Sequence, residues 1–222
     1  MKKLTSLLVV LTMVFMVGHL VCEAASVNTG PITVKANIPT NSLQLSWGLS
    51  RVDSFISEDG SNKAAWTDAT AMDFGDLKTI LKDGKTNAGL WFSQYFYAMF
   101  FGVTSTSGTQ YTITSQSAGL TGPGGKLPKA WGVKANCFDT TANAFIVCPE
   151  GTALGMGGTP ADATAVLYKS AAVPTKTVTI RADYGIPSFP SGGGAPFTGH
   201  APIPLTQKGG LYQGTVTITV TD

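Results

Sequence analysis

The last sixteen residues, Gln207–Asp222, read QKGGLYQGTVTITVTD and decide the fold class. Apolar Val216, Ile218 and Val220 alternate there with threonines, a period of two that is typical of a strand with one buried face. The glycine pair Gly209-Gly210 precedes the alternating residues, and the alternation runs to within one residue of Asp222. The stretch therefore predicts a C-terminal β-strand whose apolar side faces a core.

The same alternation recurs near the other end of the chain, in residues 32–38 (ITVKANI). Its apolar positions are Ile32, Val34, Ala36 and Ile38. Between the two ends, further apolar segments are separated by Gly, Pro, Asn and Ser residues that favour turns. This pattern predicts an all-β protein, specifically an immunoglobulin-like Greek-key β-sandwich.

Some segments depart from simple alternation. Residues 90–103 (LWFSQYFYAMFFGV) are rich in aromatic side chains and predict a central strand, either uninterrupted or with a bulge near Gly102. Residues 61–70 and 76–83 are compatible with a short helical turn each, and the glycine-rich residues 122–125 predict a flexible loop.

The N-terminal residues 1–24 have the three parts of a secretory signal peptide. Lys2 and Lys3 supply the positive charge, Leu4–Val21 is mostly apolar, and Cys22 and Ala24 place small residues before a cleavage point. A retained membrane anchor and a lipid on Cys22 are the alternatives. The interpretation predicts an exported protein, either secreted to the cell surface or held in the periplasm.

Composition narrows the class of protein further. Only 13% of the residues are charged and the formal net charge is +2, whereas soluble domains average about 25% charged residues. The chain has no basic block, so electrostatic binding to nucleic acid is not expected. A hydrophobic content of 43% argues against a disordered chain.

The two cysteines beyond residue 24, Cys137 and Cys148, are separated by ten residues. In an exported protein an even number of cysteines predicts a disulfide, here one that closes a short loop. The spacing does not match a metal-binding or redox motif, since no Cys-x-x-Cys and no neighbouring histidines are present.

Residues that could carry catalysis or bind metal do not form a recognisable pattern. His200 is the only histidine beyond residue 24 and lies among glycines and prolines, without a partner that could orient it. The acidic residues of the segment Asp53–Asp83 lack the spacing of a calcium loop. We therefore expect neither an enzyme, nor a metal site, nor a cofactor.

Short motifs at several places resemble the spore coat protein U family, the pilin-type subunits of archaic chaperone–usher pili. These motifs are Thr29-Gly30 before the strand 32–38, the residues Asp73–Leu77, Tyr111–Thr114, Tyr184–Ile186, Ile203-Pro204, and the C-terminal strand. They occur in the order expected for the family. The family's cysteine after the N-terminal strand has no counterpart at Asn41–Leu43.

The resemblance implies an incomplete sandwich that is completed by a donated strand. Residues 25–38 would be the donor strand, with Ile32, Val34, Ala36 and Ile38 as its inserting side chains, and residues 39–222 would form the sandwich. The acceptor groove would lie along the C-terminal strand and be lined by Val216, Ile218 and Val220. Implied partners are other copies or related subunits, a periplasmic chaperone and an outer-membrane usher.

Two functions follow as hypotheses. The first is a structural subunit of a pilus or surface fibre that assembles by β-strand exchange. The alternative is a stand-alone exported β-sandwich that binds a surface glycan or protein, with tryptophans as a stacking platform; its candidates are Trp47, Trp66, Trp91 and Trp131. Segments 48–70 and 119–163 are longer than in typical members of the family.

Overall fold

The structure, a computed structural model, describes residues 26–31, 33–36, 43–53, 66–79, 90–93, 95–105, 108–186, 201 and 203–221. The strands of the first half are β1 Ser26–Pro31, β2 Thr33–Ala36, β3 Leu43–Asp53, β4 Trp66–Asp68, β5 Ala71–Asp76, β6 Lys78–Thr79, β7 Leu90–Phe92, β8 Tyr95–Ser105 and β9 Thr112–Ser117. Those of the second half are β10 Leu120–Gly122, β11 Gly125–Leu127, β12 Gly132–Asp139, β13 Ala144–Phe145, β14 Thr152–Ala153, β15 Gly155–Pro160, β16 Thr164–Lys169, β17 Val178–Gly185, β18 Ile203–Pro204 and β19 Val216–Thr221. The described chain is all-β, as the sequence predicts.

The larger sheet has seven strands and contains the longest pairings of the molecule. Its order is β13-β12-β17-β8-β3-β4, and β15 also pairs with β12. β8 lies in the middle, antiparallel to β3 over eleven residue pairs and to β17 over eight. Its apolar residues and aromatic rings suit a strand with neighbours on both edges.

The smaller sheet has five strands in the order β14-β16-β9-β19-β2. β19 is antiparallel to β9 on one edge and parallel to β2 on the other. This β2–β19 contact is the only parallel pairing among the described strands, and it joins the N-terminal and C-terminal parts of the chain.

The core lies between the two sheets, an arrangement consistent with a β-sandwich. β8 and β17 contribute Met99, Phe101 and Ile180, while β9 and β19 contribute Ile113 and Ile218, all fully buried. The hydroxyl of Tyr184 on β17 lies 2.9 Å from the Ser115 hydroxyl on β9. Burial of apolar side chains from both sheets is the main stabilising contribution to such a fold.

The aromatic segment 90–103 is divided, and the predicted single strand is wrong in this respect. β7 and β8 are separated at the buried Ser93, whose hydroxyl donates to the Phe74 carbonyl and accepts from the Tyr95 amide at 3.0 Å. Side-chain bonds of this kind compete with ladder hydrogen bonds and interrupt a strand. The pairing of β8 runs through Gly102 without a bulge; the Ser46 hydroxyl lies where a side chain at position 102 would begin.

The two helical turns suggested by the sequence are not found in the described residues. Trp66–Asp68 is strand β4, whose Trp66 ring packs against Phe100 at 5.8 Å. Asp76 ends β5 and Lys78–Thr79 forms β6. Cross-strand packing outweighs a weak local preference for helix. Residues 61–65 and 80–83 lie outside the described residues.

The glycine-rich segment 122–125, for which the sequence predicts a loop, contains the turn of a hairpin. β10 and β11 pair antiparallel from Leu120↔Leu127 to Gly122↔Gly125. The Gly124 amide donates to the hydroxyl of Tyr212 at 3.0 Å, and Thr121 and Gln213 exchange two backbone hydrogen bonds. The hairpin is therefore held against the residues that precede β19.

The predicted disulfide is confirmed. Cys137 on β12 is bonded to Cys148, with the two Cα atoms 5.0 Å apart. Within the loop that it closes, Phe138 of β12 pairs with Phe145 of β13. The predicted signal peptide and the glycine run Ser191–Gly194 lie outside the described residues. Among the described residues, none forms a helix long and apolar enough to cross a membrane.

Candidate functional site

The edge of the smaller sheet beside β19 is the place to which the sequence predictions converge. Val216, Ile218 and Val220 are each buried and alternate along β19 with half-buried Thr217 and Thr219. The three apolar side chains point into the core that the two sheets share. β19 thus has the alternation predicted from its sequence.

β9 is the neighbour of β19 toward the middle of the smaller sheet. The two strands pair over six positions, from Val216↔Ser117 to Thr221↔Thr112. The Thr114 hydroxyl adds a bond of 3.3 Å to the Thr219 carbonyl. β19 is therefore held in place by β9, and its other edge can pair with one further strand.

β2 occupies that remaining edge within the same chain. Thr33 is level with Thr217, Val34 with Ile218, Lys35 with Thr219 and Ala36 with Val220. The structure thus brings Val34 and Ala36 to the register of the buried positions Ile218 and Val220. Ile32 and Ile38 lie outside the described residues.

The strand before β2 pairs elsewhere. β1 is antiparallel to β5, with Ser26 opposite Asp76, Asn28 opposite Asp73 and Pro31 opposite Ala71. Only Ile32 separates β1 from β2, so the N-terminal segment passes from one pairing to the other within a single residue. The sequence prediction treated residues 25–38 as one strand and did not anticipate this division.

A buried ion pair on the larger sheet was missed by the sequence analysis. Arg181 and Asp183 are two residues apart on β17, and the Arg181 Nε donates to Asp183 Oδ1 at 2.7 Å. We call this pair and four surrounding rings the Arg181 cluster. The guanidinium carbon lies 4.7 Å from the ring centre of Trp66, 4.7 Å from Phe145, 5.2 Å from Phe138 and 5.9 Å from Phe96.

Burial determines the electrostatics of this cluster. Removal from water raises the pKa of the Asp183 carboxyl, and the Arg181 guanidinium opposes that rise. The sequence contained a signal for this ion pair, namely two opposite charges at alternate positions of an otherwise mostly apolar strand (VTIRADYG). Residues at alternate positions share one face of a sheet, so the two side chains are neighbours. The pair lies on the face opposite to Ile180, Ala182 and Tyr184.

The four tryptophans do not form one platform. Trp131 is fully buried in the core and Trp91 is half-buried. Trp47 and Trp66 have exposed fractions of 48% and 37%, but the register of β3 and β4 puts them on opposite faces of the larger sheet. Trp66 belongs to the Arg181 cluster and is its most exposed ring.

Acidic and metal-binding residues do not converge in the described part of the chain. No group of three or more His, Cys, Asp or Glu side chains there could hold a metal ion. His200 lies outside that part. Burial also raises the pKa of the Tyr184 hydroxyl. This hydroxyl forms a hydrogen bond with Ser115 between the two sheets and so contributes to their packing.

Comparisons with known proteins return no match: no family model, no curated protein and no solved structure is similar to this chain. The site is therefore interpreted from its own geometry.

Proposed function

We propose that this chain is an exported structural subunit of a pilus or surface fibre, whose copies assemble by exchanging the N-terminal strand. The observation that carries the proposal is the position of β2 at the sheet edge, beside the C-terminal strand β19. The N-terminal strand and its acceptor edge are both present in one chain, so each copy can donate and accept.

The physical basis is β-augmentation. Backbone hydrogen bonds between β2 and β19 do not depend on which copy supplies β2, because the register and the groups are identical. β2 is four residues long and lies near one end of the chain, the kind of element that is exchanged between protomers at low cost. A closed monomer and an open chain of copies then share the same local contacts.

The immunoglobulin-like Greek-key topology belongs to this proposal. β19 lies between β9 and β2, and the N-terminal segment reaches strands in two different sheets, which supports a sandwich that its terminal strand completes. Export follows from the predicted signal peptide, and the disulfide is compatible with an oxidising compartment. A periplasmic chaperone and an outer-membrane usher are the partners implied by the family resemblance.

The second candidate is a stand-alone exported β-sandwich that binds a glycan or protein. The partly exposed Trp66 ring of the Arg181 cluster favours it, because aromatic faces stack on apolar faces of ligands. Pairing of β2 with β19 in the same chain is the arrangement expected of a permanently closed domain, whereas a donor strand that has not yet been exchanged would project away from its own domain. The two candidates differ in whether β2 ever leaves its own copy.

Cross-linking between copies tests this difference. Lys35→Cys is made in one preparation and Thr219→Cys in a second with a tag of different mass, and the two are unfolded, mixed, refolded and oxidised. These positions are paired in register, and neighbouring strands are about 4.8 Å apart, within reach of a disulfide. Exchange predicts a covalent heterodimer on a non-reducing gel.

The matched control replaces Thr219→Cys with Thr114→Cys, which pairs with Thr219 on the far side of β19 and does not adjoin β2. It should form no such heterodimer. Absence of the heterodimer with Thr219→Cys, together with an intramolecular bond in the Lys35→Cys/Thr219→Cys double variant, would overturn the fibre proposal in favour of the closed domain.

A further inference from the structure

We infer that the exchanged unit comprises β1 as well as β2, so that each assembled copy binds its neighbour at two acceptor strands, β19 and β5. The inference rests on the proposed strand exchange and specifies the contact surface between copies. The partner is a second copy of this chain, since only the N-terminal segment itself carries both strands in the required order.

The short connection between β1 and β2 limits how far the two strands can separate. Pro31 ends β1, Thr33 begins β2, and two residue steps span at most about 7 Å. When β2 pairs with the β19 of another copy, the Pro31 end of β1 must therefore lie within about 7 Å of Thr33 on the donated strand. If β1 stayed on its own β5, β2 would begin within that distance of Pro31, so the second copy's β19 would have to reach β2 close to the chain's own sheets.

β5 is held in the fold by contacts that do not involve β1. Its Met72 and Phe74 are fully buried, and the Phe74 ring packs edge-on against Tyr97 at 5.4 Å and Trp131 at 6.3 Å. The Tyr97 hydroxyl also donates to the Asp73 carbonyl and accepts from the Asp73 amide at 2.9 Å. β5 is thus attached to β8 independently of β1.

Departure of β1 would leave β5 with an unpaired edge. Among the described residues, β1 is the only strand that pairs with β5. Without β1, the backbone groups along that edge of β5 would be unpaired. Unpaired strand edges are unfavourable and promote pairing with another chain. The β1 of a second copy satisfies those groups in the original register. Exchange of both strands restores all the pairings that it breaks.

The experiment uses the far end of β1, where Ser26 is opposite the exposed Asp76. Ser26→Cys and Asp76→Cys are prepared in separate chains with tags of different mass, refolded together and oxidised beside the Lys35→Cys and Thr219→Cys mixture. Joint exchange predicts covalent heterodimers in similar fractions from both mixtures. Asp68→Cys, an equally exposed aspartate position on β4, replaces Asp76→Cys as the matched control and should give none.

The outcomes separate the two levels of the proposal. A heterodimer from the β2–β19 pair without one from the β1–β5 pair overturns this inference and leaves strand exchange standing. Absence of both overturns strand exchange and the inference together. If a variant at position 26 or 76 fails to fold, Pro31→Cys with Ala71→Cys tests the other end of the same pairing.

Discussion

At the scale of single residues, the buried ion pair of Arg181 and Asp183 carries a large desolvation penalty. Their side chains are 10% and 6% exposed and lie among aromatic rings, so both charges have lost most of their hydration. A buried pair of this kind need not add net stability compared with apolar residues, but removal of one partner leaves a charge without compensation. Substitution of either Arg181 or Asp183 alone should therefore destabilise the protein more than substitution of an exposed charged residue.

We expect Asp183→Asn to lower the free energy of unfolding by about 3 kcal/mol, because the guanidinium of Arg181 would remain buried without a carboxylate. Urea unfolding of both proteins measures the difference. Asp68→Asn, at an exposed position on β4, is the control and should change stability by less than about 0.5 kcal/mol. Equal effects of the two substitutions would show that the pair is hydrated in solution.

Glu150 shows how one carboxylate connects two loops. It accepts hydrogen bonds from the Thr175 amide at 2.9 Å, from the Thr175 hydroxyl and from the Lys176 amide at 3.1 Å. The bonds with the Thr175 side chain and backbone favour the ionised form and lower the pKa of the Glu150 carboxyl below its usual value of 4.5. The residue thus gives the fold a local dependence on pH.

The sign of this dependence follows from the lowered pKa. The stabilisation is complete above the unfolded-state value near 4.5 and is lost as the pH falls through the lower folded-state pKa. Melting temperatures of the wild type and Glu150→Gln, measured between neutral pH and pH values below that range, should differ most at neutral pH and converge in acid. A difference that stays constant with pH would contradict this origin.

At the scale of elements, the β10–β11 hairpin is fixed by backbone contact with the segment before β19. A Cβ at Gly122 would lie 2.5 Å from the Leu211 carbonyl oxygen and 2.7 Å from the Tyr212 ring, distances that force backbone movement. The Tyr212 hydroxyl accepts from Gly124 and donates to the Lys208 carbonyl at 2.7 Å. The hairpin and the segment that precedes β19 are therefore packed against each other.

Gly122→Ala should consequently destabilise the protein by about 1–3 kcal/mol, the usual effect of overpacking at a site that cannot relax. Gly209→Ala is the matched control, since a Cβ there meets no atom within 4 Å and should be nearly neutral. Thermal or urea unfolding distinguishes the two. If both alanine variants were equally stable, the hairpin would not be docked as described.

At the scale of the whole molecule, the N-terminal segment links parts of the fold that are distant in sequence. β1 joins β5, and β2 joins β19 near the opposite end of the chain. Under the proposed strand exchange, a chain without this segment keeps both acceptor strands but loses the donor. Assembly and stability would then depend on the same few backbone pairings.

Deletion of residues 1–38 should yield a chain that cannot form ladders with itself but is bound by full-length copies. The proposed reason is that β19 and β5 remain to accept a strand while no strand is left to donate. Non-reducing gels of mixed, differently tagged proteins without boiling provide the measurement. Ladder formation by the truncated chain alone would contradict exchange of this segment.

The all-β class, the buried positions of the C-terminal strand and the disulfide could all be predicted from the sequence. These are local properties: alternation of Val216, Ile218 and Val220 records which face is buried, and the two cysteines are close along the chain. Local patterns could also suggest a strand near residues 33–36. They could not specify its neighbour, because any edge of suitable register satisfies the same alternation.

The tertiary structure was needed to show that β2 pairs with β19 of its own chain, that this pairing is parallel, and that β1 pairs with β5 instead. It also placed Arg181 and Asp183 in a buried aromatic environment and turned the glycine-rich segment 122–125 into a docked hairpin. These features depend on contacts between residues far apart in sequence, whose free energies are set by packing and by exclusion of water rather than by local preference.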